Sequence, residues 1–273
     1  MPAAVQRIGV VGAGLMGSGI AAVCLAAGYA VSVYDVAGQA LERTRARCAR
    51  LAGEGALERL TLTTDLGQVC QADLVLEAVP EQLELKVQVF RELDRLAPPH
   101  ALLATNTSQL SVTALAAATG RPGQVAGMHW FNPPERMALV EVVRALPTEE
   151  ATVQSIAEVA RRAGKEVVMV QDVQGFVVTR AMTAFLVECM RILEEGVATQ
   201  EEIDRAIRLG LHHPMGPFQL ADYVGLDTLL SIADSLAQAL GERFRPPVRL
   251  RRLVEAGYLG RKSGRGFYPY PPA

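Results

Sequence analysis

Hydrophobic and polar positions along this chain fall into two textures. Up to about Gln174, short apolar runs alternate with amphipathic or polar stretches, the pattern of a parallel sheet covered by helices on both faces. The runs predict strands at Ile8 to Val11, Tyr29 to Tyr34, Asp73 to Val79, Ala101 to Ala104, Gln124 to Trp130, Leu139 to Val143 and Glu166 to Val170. Between the last two, Val153, Ile156, Ala160 and Ala163 recur at helical spacing, and Gly164 is placed to end that helix. From Gly175 onward the pattern is helical. It predicts helices over Phe176 to Glu195, from Thr199 with Glu202 in capping-box position, over Leu226 to Leu240 and over Leu250 to Ala256. The expected architecture is a doubly wound α/β domain over residues 1–174 followed by an all-helical domain over 175–273.

The opening stretch carries the clearest chemistry. No charged residue stands between Ile8 and Tyr34, a length that would allow a membrane span of about 20 apolar residues. Gly9, Gly12, Gly14, Gly17, Gly19 and Gly28 argue against a lone helix, because each costs backbone entropy there. Strand, tight turn, helix and second strand use most of them. Gly12 permits the sharp turn, Gly14 lets the backbone approach a pyrophosphate, and Gly17 allows close helix packing, with Leu15 and Met16 at the start of the helix. Phosphates would then face unpaired helix N–H groups. Asp35 closes the second strand, where a carboxylate accepts hydrogen bonds from a ribose 2′-hydroxyl and repels a 2′-phosphate. The expected cofactor is therefore NAD in preference to NADP. A glycine-rich turn without ligand is the plainer alternative.

Composition narrows the class. The chain has 273 residues, 50% of them hydrophobic, with a formal net charge of −2. It has no basic tract for nucleic acid, and no membrane or nucleic-acid partner is expected. Cys24, Cys48, Cys70 and Cys189 are widely spaced and form no Cys-x-x-Cys pair, and no basic-headed targeting segment is evident. A cytoplasmic location and no metal site are the expectation. Lys86, Lys165 and Lys262 are the only lysines among 27 basic residues, a bias that makes their positions worth noting.

In a doubly wound sheet, ligands sit beyond the carboxyl ends of the strands. Glu77 to Glu81, Thr105 to Ser108 and His129 to Asn132 follow apolar runs, so Ser108, His129 and Asn132 are expected at one crevice. Taken alone, His129 beside Trp130 and Phe131 could equally be a satisfied core histidine, and Asn106, Thr107 and Ser108 ordinary turn formers.

Five ordered segments together resemble the 3-hydroxyacyl-CoA dehydrogenase family, in particular its short bacterial 3-hydroxybutyryl-CoA members. They are Glu77-Ala-Val-Pro-Glu81, Asn106-Thr-Ser108, Met128-His-Trp-Phe-Asn-Pro133, His213-Pro-Met-Gly-Pro-Phe-Gln-Leu-Ala-Asp222 and Gly260-Arg-Lys-Ser-Gly-Arg-Gly-Phe-Tyr268. The resemblance implies hydride transfer between C3 of a (3S)-hydroxyacyl-CoA and C4 of a nicotinamide. It implies that His129 takes the hydroxyl proton and that Glu141, in the next strand, orients it. A base with pKa near neutrality suits that step, and a carboxylate on the other ring nitrogen fixes the tautomer. Read without the motif, Glu141 is an exposed strand residue. By the same resemblance Ser108 bonds the substrate oxygen and contacts the cofactor, Asn132 lies near the nicotinamide, and Glu81, Lys86 and Lys262 contact NAD. Lys165 falls in another family-like segment. For Lys86, a solvated helix face is the alternative.

Two places depart from the family pattern. Thr179, in Gln174-Gly175-Phe176-Val177-Val178-Thr179-Arg180, stands where the family carries an asparagine that helps hold the substrate oxygen. A threonine offers one donor in place of an amide's two. The helical hairpin that in the family grips the CoA nucleotide looks shortened here after Asp35. Arg43, Arg47 and Arg50 there share one helix face, expected as a solvated face and otherwise as a contact for a CoA phosphate. The competing functions are a dehydrogenase of a hydroxyacid or carnitine-like substrate without CoA, and a non-catalytic NAD-binding protein. β-Hydroxyacid dehydrogenases use a lysine in the helical region, and none occurs between Lys165 and Lys262. The family also implies a homodimer through the helical domain. Phe185, Leu186, Cys189, Ile192 and Leu193 could serve that interface or an internal core.

Overall fold

The structure, a computed structural model, describes residues 5–271. Two compact units divide between Phe176 and Val177.

In the first unit, β1 (Arg7–Val11), α1 (Leu15–Ala26) and β2 (Ala30–Tyr34) account for the uncharged opening. α2 (Gly38–Ala52) and a 3-10 turn over Glu54–Arg59 lead to β3 (Leu60–Thr63). Three further crossovers follow: α3 (Leu66–Val69) to β4 (Leu74–Glu77), α4 (Leu83–Leu96) to β5 (Leu102–Thr105), and α5 (Val112–Ala117) to β6 (Val125–Trp130). The unit closes with β7 (Leu139–Arg144), α6 (Glu150–Arg162) and β8 (Glu166–Gln171). All eight strands join one sheet in the order β3-β2-β1-β4-β5-β6-β7-β8.

Two features of this sheet differ from the sequence expectation. β7 runs antiparallel to β6, and β8 follows it in parallel, so the sheet is mixed. The connection from Phe131 to Ala138 is too short for a helical crossover, which takes a dozen or more residues. β3 gave no signal because Leu60-Thr-Leu-Thr63 is an edge strand that is only half apolar.

Strand alternation sorts the core onto two faces. Val10, Leu74, Leu76, Met128 and Trp130 pack with α1, α2 and α6. Val11, Val75, Leu103, Val125 and Val143 pack with α3, α4 and α5. His129 and Glu141 alternate with residues of the first set, so both point to the second face.

The second unit consists of α7 (Val178–Glu194), α8 (Gln200–Gly210), α9 (Pro217–Val224), α10 (Leu226–Leu240) and α11 (Val248–Glu255). The Thr199–Glu202 capping box forms as expected. α9 is an addition, signalled only by Pro217 at its first turn. Leu186 and Cys189 are buried in this unit's core, with Phe185, Ile192 and Leu193 packed against them, so this stripe serves the internal core. The buried Asp222 fastens the C-terminal tail by accepting from the amides of Phe267 and Tyr268 and the hydroxyl of Tyr270. Burial raises its carboxyl above the ordinary range, against the pull of those hydrogen bonds. All four cysteines are free and buried, and burial pushes the Cys24 thiol up to about 12. Among the described residues no helix is long and apolar enough to cross a membrane.

Candidate active site

The glycine turn is built by close backbone packing. Gly12 has φ +102° and donates its amide to Tyr34 O at 2.8 Å; a Cβ on it would stand 2.7 Å from Ala78 O. A Cβ on Gly17 would fall 1.8 Å from Gly12 O, so only glycine lets α1 begin there. Gly14 is different. No protein atom lies within 4 Å of where its Cβ would stand, so the protein's own packing makes no demand for glycine. The cradle a side chain would fill is the place where a pyrophosphate would approach, above the first turn of α1 at Leu15 and Met16. The residues present fit a dinucleotide.

Asp35 sits at the carboxyl end of β2. Its Oδ2 accepts from Ala13 N at 2.7 Å and its Oδ1 from Ala37 N at 2.9 Å, which fixes the carboxylate beside the turn. A cavity of about 770 Å³ opens here, lined by Gly12, Gly14, Leu15, Met16, Asp35 and Val79 among others. It lies where the strand order reverses between β1 and β4, the crevice in which such sheets take ligands.

Beyond Asp35 the chain makes one full helix and a 3-10 turn before β3. Arg47 corrects the expectation of a solvated charged face. It donates to Leu15 O at 2.7 Å and Ser18 Oγ at 2.9 Å, and it pairs with Glu135 at 2.7 Å. Packing of α2 on α1 at Gly19 draws the side chain inward, leaving it 13% exposed. Arg43, Arg50 and Arg136 line, together with Arg47, a second cavity of about 680 Å³.

The ends of β4 and β5 are joined by a buried charge network. Lys86 has no exposed surface; its Nζ donates to Glu77 Oε1 at 2.7 Å and lies 3.4 Å from Glu81. A solvated lysine on a helix face is thus ruled out, and the side chain lies behind the crevice wall. Desolvation raises the Glu77 carboxyl, opposed by Lys86, the Thr105 hydroxyl and the Val79 amide. Glu81 Oε1 accepts from Thr107 Oγ1 at 2.5 Å, from Ser108 N at 2.9 Å and from Ser108 Oγ at 3.3 Å. Ser108 and Glu81 therefore come together. Asn106 Oδ1 accepts from Trp130 N at 2.9 Å, which ties the serine loop to the end of β6.

His129 and Glu141 lie on the next two strands, β6 and β7. The antiparallel register sets them directly opposite each other, on one face. Glu141 is fully buried, contrary to the exposed-strand alternative, and His129 is 5% exposed. His129 Nδ1 lies 2.8 Å from Glu141 Oε2. An ionised carboxylate only accepts, so with Glu141 ionised the ring proton would sit on Nδ1. The Phe131 ring lies 4.4 Å from the imidazole, centre to centre, and the Phe176 ring 5.7 Å. Asn132 is exposed at the end of β6 and precedes Pro133 through a cis peptide bond.

Thr179 and Lys262 belong to the second unit. Thr179 is buried in the first turn of α7, and Lys262 pairs with Asp227 at 2.6 Å. Several contributors escaped the sequence reading. Glu77, Thr105 and Thr107 fell within the marked strand-end stretches but were given no role of their own, and the inward role of Arg47 depends on a contact 88 residues away. Lys165 donates to Pro134 O at 2.6 Å and Met137 O at 2.8 Å, holding the loop between β6 and β7.

Comparison with known proteins finds one family over nearly the whole chain. Residues 7–173 match the family model "3-hydroxyacyl-CoA dehydrogenase, NAD binding domain", and residues 175–270 match "3-hydroxyacyl-CoA dehydrogenase, C-terminal domain". A 3-hydroxybutyryl-CoA dehydrogenase of Mycobacterium tuberculosis is 46% identical, over 99% of this chain and 100% of that protein. A probable 3-hydroxybutyryl-CoA dehydrogenase of Bacillus subtilis is 44% identical, over 97% of this chain and 98% of its own. The crystal structure of (S)-3-hydroxybutyryl-CoA dehydrogenase PaaH1 from Ralstonia eutropha superposes with a TM-score of 0.95 at 37% identity, covering 98% of this chain and 100% of that one. With its dinucleotide cradle and both family segments in order, the chain belongs to the 3-hydroxyacyl-CoA dehydrogenase family and is an NAD-dependent oxidoreductase.

Proposed function

We propose that this enzyme interconverts short-chain (3S)-3-hydroxyacyl-CoA and 3-oxoacyl-CoA, as a 3-hydroxybutyryl-CoA dehydrogenase of fatty acid metabolism. The observation that carries the reading is the buried His129–Glu141 pair at the carboxyl end of β6, with Nδ1 held at 2.8 Å. With Nδ1 committed to Glu141, Nε2 is the nitrogen left to take the proton of a substrate hydroxyl. Glu141 holds the tautomer and stabilises the imidazolium as it forms. Ser108 Oγ bonds the same substrate oxygen and orients C3. Bound NAD⁺ supplies the hydride acceptor at nicotinamide C4. As the C3–H electron pair leaves, the O–H pair closes the C3=O bond and the proton passes to His129. The names of the close relatives support the CoA thioester and the four-carbon chain.

In this account Gly12, Gly14, Leu15, Met16 and Gly17 receive the pyrophosphate, Asp35 the ribose, and Asn132 the nicotinamide side. Glu81 and Ser108 face the cofactor as one bonded unit. Lys86 acts through Glu81 and the Val79 carbonyl, because no part of it is exposed. Lys262 is assigned to the cofactor by the same family resemblance. Thr179 supplies one donor to the substrate oxygen. Arg43, Arg50 and Arg136 receive the CoA phosphates, while Arg47 is neutralised by Glu135. The domains divide the work as NAD binding in 1–174 and substrate binding with homodimer pairing in 175–273. The pairing surface would come from residues such as Leu209, Leu211 and Val248, which are exposed in the helical unit.

The single helix and 3-10 turn after Asp35 favour one second reading, a hydroxyacid or carnitine-like substrate without CoA. A substrate panel at fixed NADH separates them. Acetoacetyl-CoA should oxidise NADH far faster than free acetoacetate; equal rates, or no rate with CoA esters, would remove the CoA reading.

A further inference from the structure

The segment that leaves the first unit is held in an unusual conformation. Gly175 has φ +74° and Phe176 φ +47°, so two consecutive residues are left-handed, and the second is bulky. That backbone region is ordinarily left to glycine, and a large side chain there marks a constraint imposed by its surroundings. The surroundings are visible. Phe176 N donates to Val173 O at 2.9 Å, and Asp172 N donates to Arg144 O at 3.0 Å. The Asp172 carboxylate accepts from Ser111 Oγ at 3.2 Å, Val112 N at 3.1 Å and Thr113 N at 2.6 Å. The turn is thus nailed to β7 and to the segment just beyond Ser108.

The side chain gives the conformation its purpose. The Phe176 ring is 5% exposed, packs in the core beneath α4 and α5, and lies 5.7 Å from the His129 imidazole at an angle of 55°. Phe131 touches the same imidazole at 4.4 Å and 44°. Glu141 pins one nitrogen, but a single hydrogen bond leaves the ring free to tilt about it. Two aromatic neighbours close that freedom. A glycine at position 176 would relieve the backbone and abolish the contact.

Resting on the reading of His129 as the base, we propose that Phe176 is a positioning residue. Its left-handed backbone delivers a flat ring against the imidazole and holds Nε2 in the orientation that receives the substrate proton.

The test uses the full-length enzyme with Phe176→Leu, which keeps apolar volume without a flat ring, and Phe176→Tyr, which keeps the ring. Misaimed reacting groups cost about 10- to 100-fold in rate, so Phe176→Leu should lose that much kcat while its NADH Kd stays within about twofold. Its primary isotope effect with 3-deuterated 3-hydroxybutyryl-CoA should rise, since the chemical step becomes limiting, and Phe176→Tyr should restore both. A purely structural role would lower stability and NADH binding without raising the isotope effect, and that outcome overturns the proposal. So does wild-type kcat in Phe176→Leu. If the leucine variant does not fold, Phe176→Met reads the same division between kcat and NADH Kd. His129→Gln runs in the same assay: its survival would defeat the base assignment, whereas its inactivity beside an unaffected Phe176→Leu defeats only the present proposal.

Discussion

Glu141 stands directly opposite His129 across the antiparallel pair of β6 and β7, with Oε2 2.8 Å from Nδ1. The strand reversal creates this relationship. Cross-strand neighbours share a face, so a carboxylate on β7 meets an imidazole on β6 without a loop to position either.

The pair makes a sharp prediction for Glu141→Gln. The amide fills the same space but leaves no charge to stabilise an imidazolium, so kcat should fall about 10²–10⁴-fold, the worth of general base catalysis. NADH affinity, read by fluorescence titration, should hardly change. An unaltered kcat would separate Glu141 from the reaction.

The glycine turn predicts opposite outcomes for two similar changes. Gly17→Ala would put a methyl 1.8 Å from Gly12 O and should destabilise the fold by about 1–3 kcal/mol, visible as a lower Tm. Gly14→Ala meets no protein atom within 4 Å and should keep Tm while weakening NADH. Equal effects on both properties would show that the two glycines do the same work.

Asp35→Ala removes the carboxylate that repels a 2′-phosphate. The ratio of kcat/KM for NAD over NADP should fall, chiefly through a poorer KM for NAD. The variant also loses the bonds to Ala13 and Ala37 amides, so a melting curve should accompany the kinetics. An unchanged ratio would take Asp35 away from the ribose.

Thr179 is the departure with a direct readout. Since losing one oxyanion-type donor costs about 10²–10³ in rate, Thr179→Asn should raise kcat for acetoacetyl-CoA if the hydroxyl is only a partial substitute. A lower kcat with the asparagine would mean that the site is fitted to threonine.

Much of this was readable in the chain because the relevant signals are local. The strand, turn and helix around Gly12, Gly14 and Gly17 follow from residues within one βαβ unit, and the Thr199–Glu202 box from four consecutive residues. The missed parts depend on distant contacts. The reversal of β7 is set by a short connection that looks like any loop. The burial of Lys86 depends on Glu77 at the end of a neighbouring strand, and the inward turn of Arg47 on Glu135. The aromatic contact of Phe176 with His129 needs both the sheet and a left-handed turn before it exists.

His129 is the group proposed to move the proton, and His129→Gln tests that role most directly. In stopped flow with acetoacetyl-CoA and NADH, the wild-type enzyme should oxidise NADH, and the variant should do so about 10²–10⁴-fold more slowly with unchanged NADH affinity. A His129→Gln enzyme that turns over near the wild-type rate would contradict it.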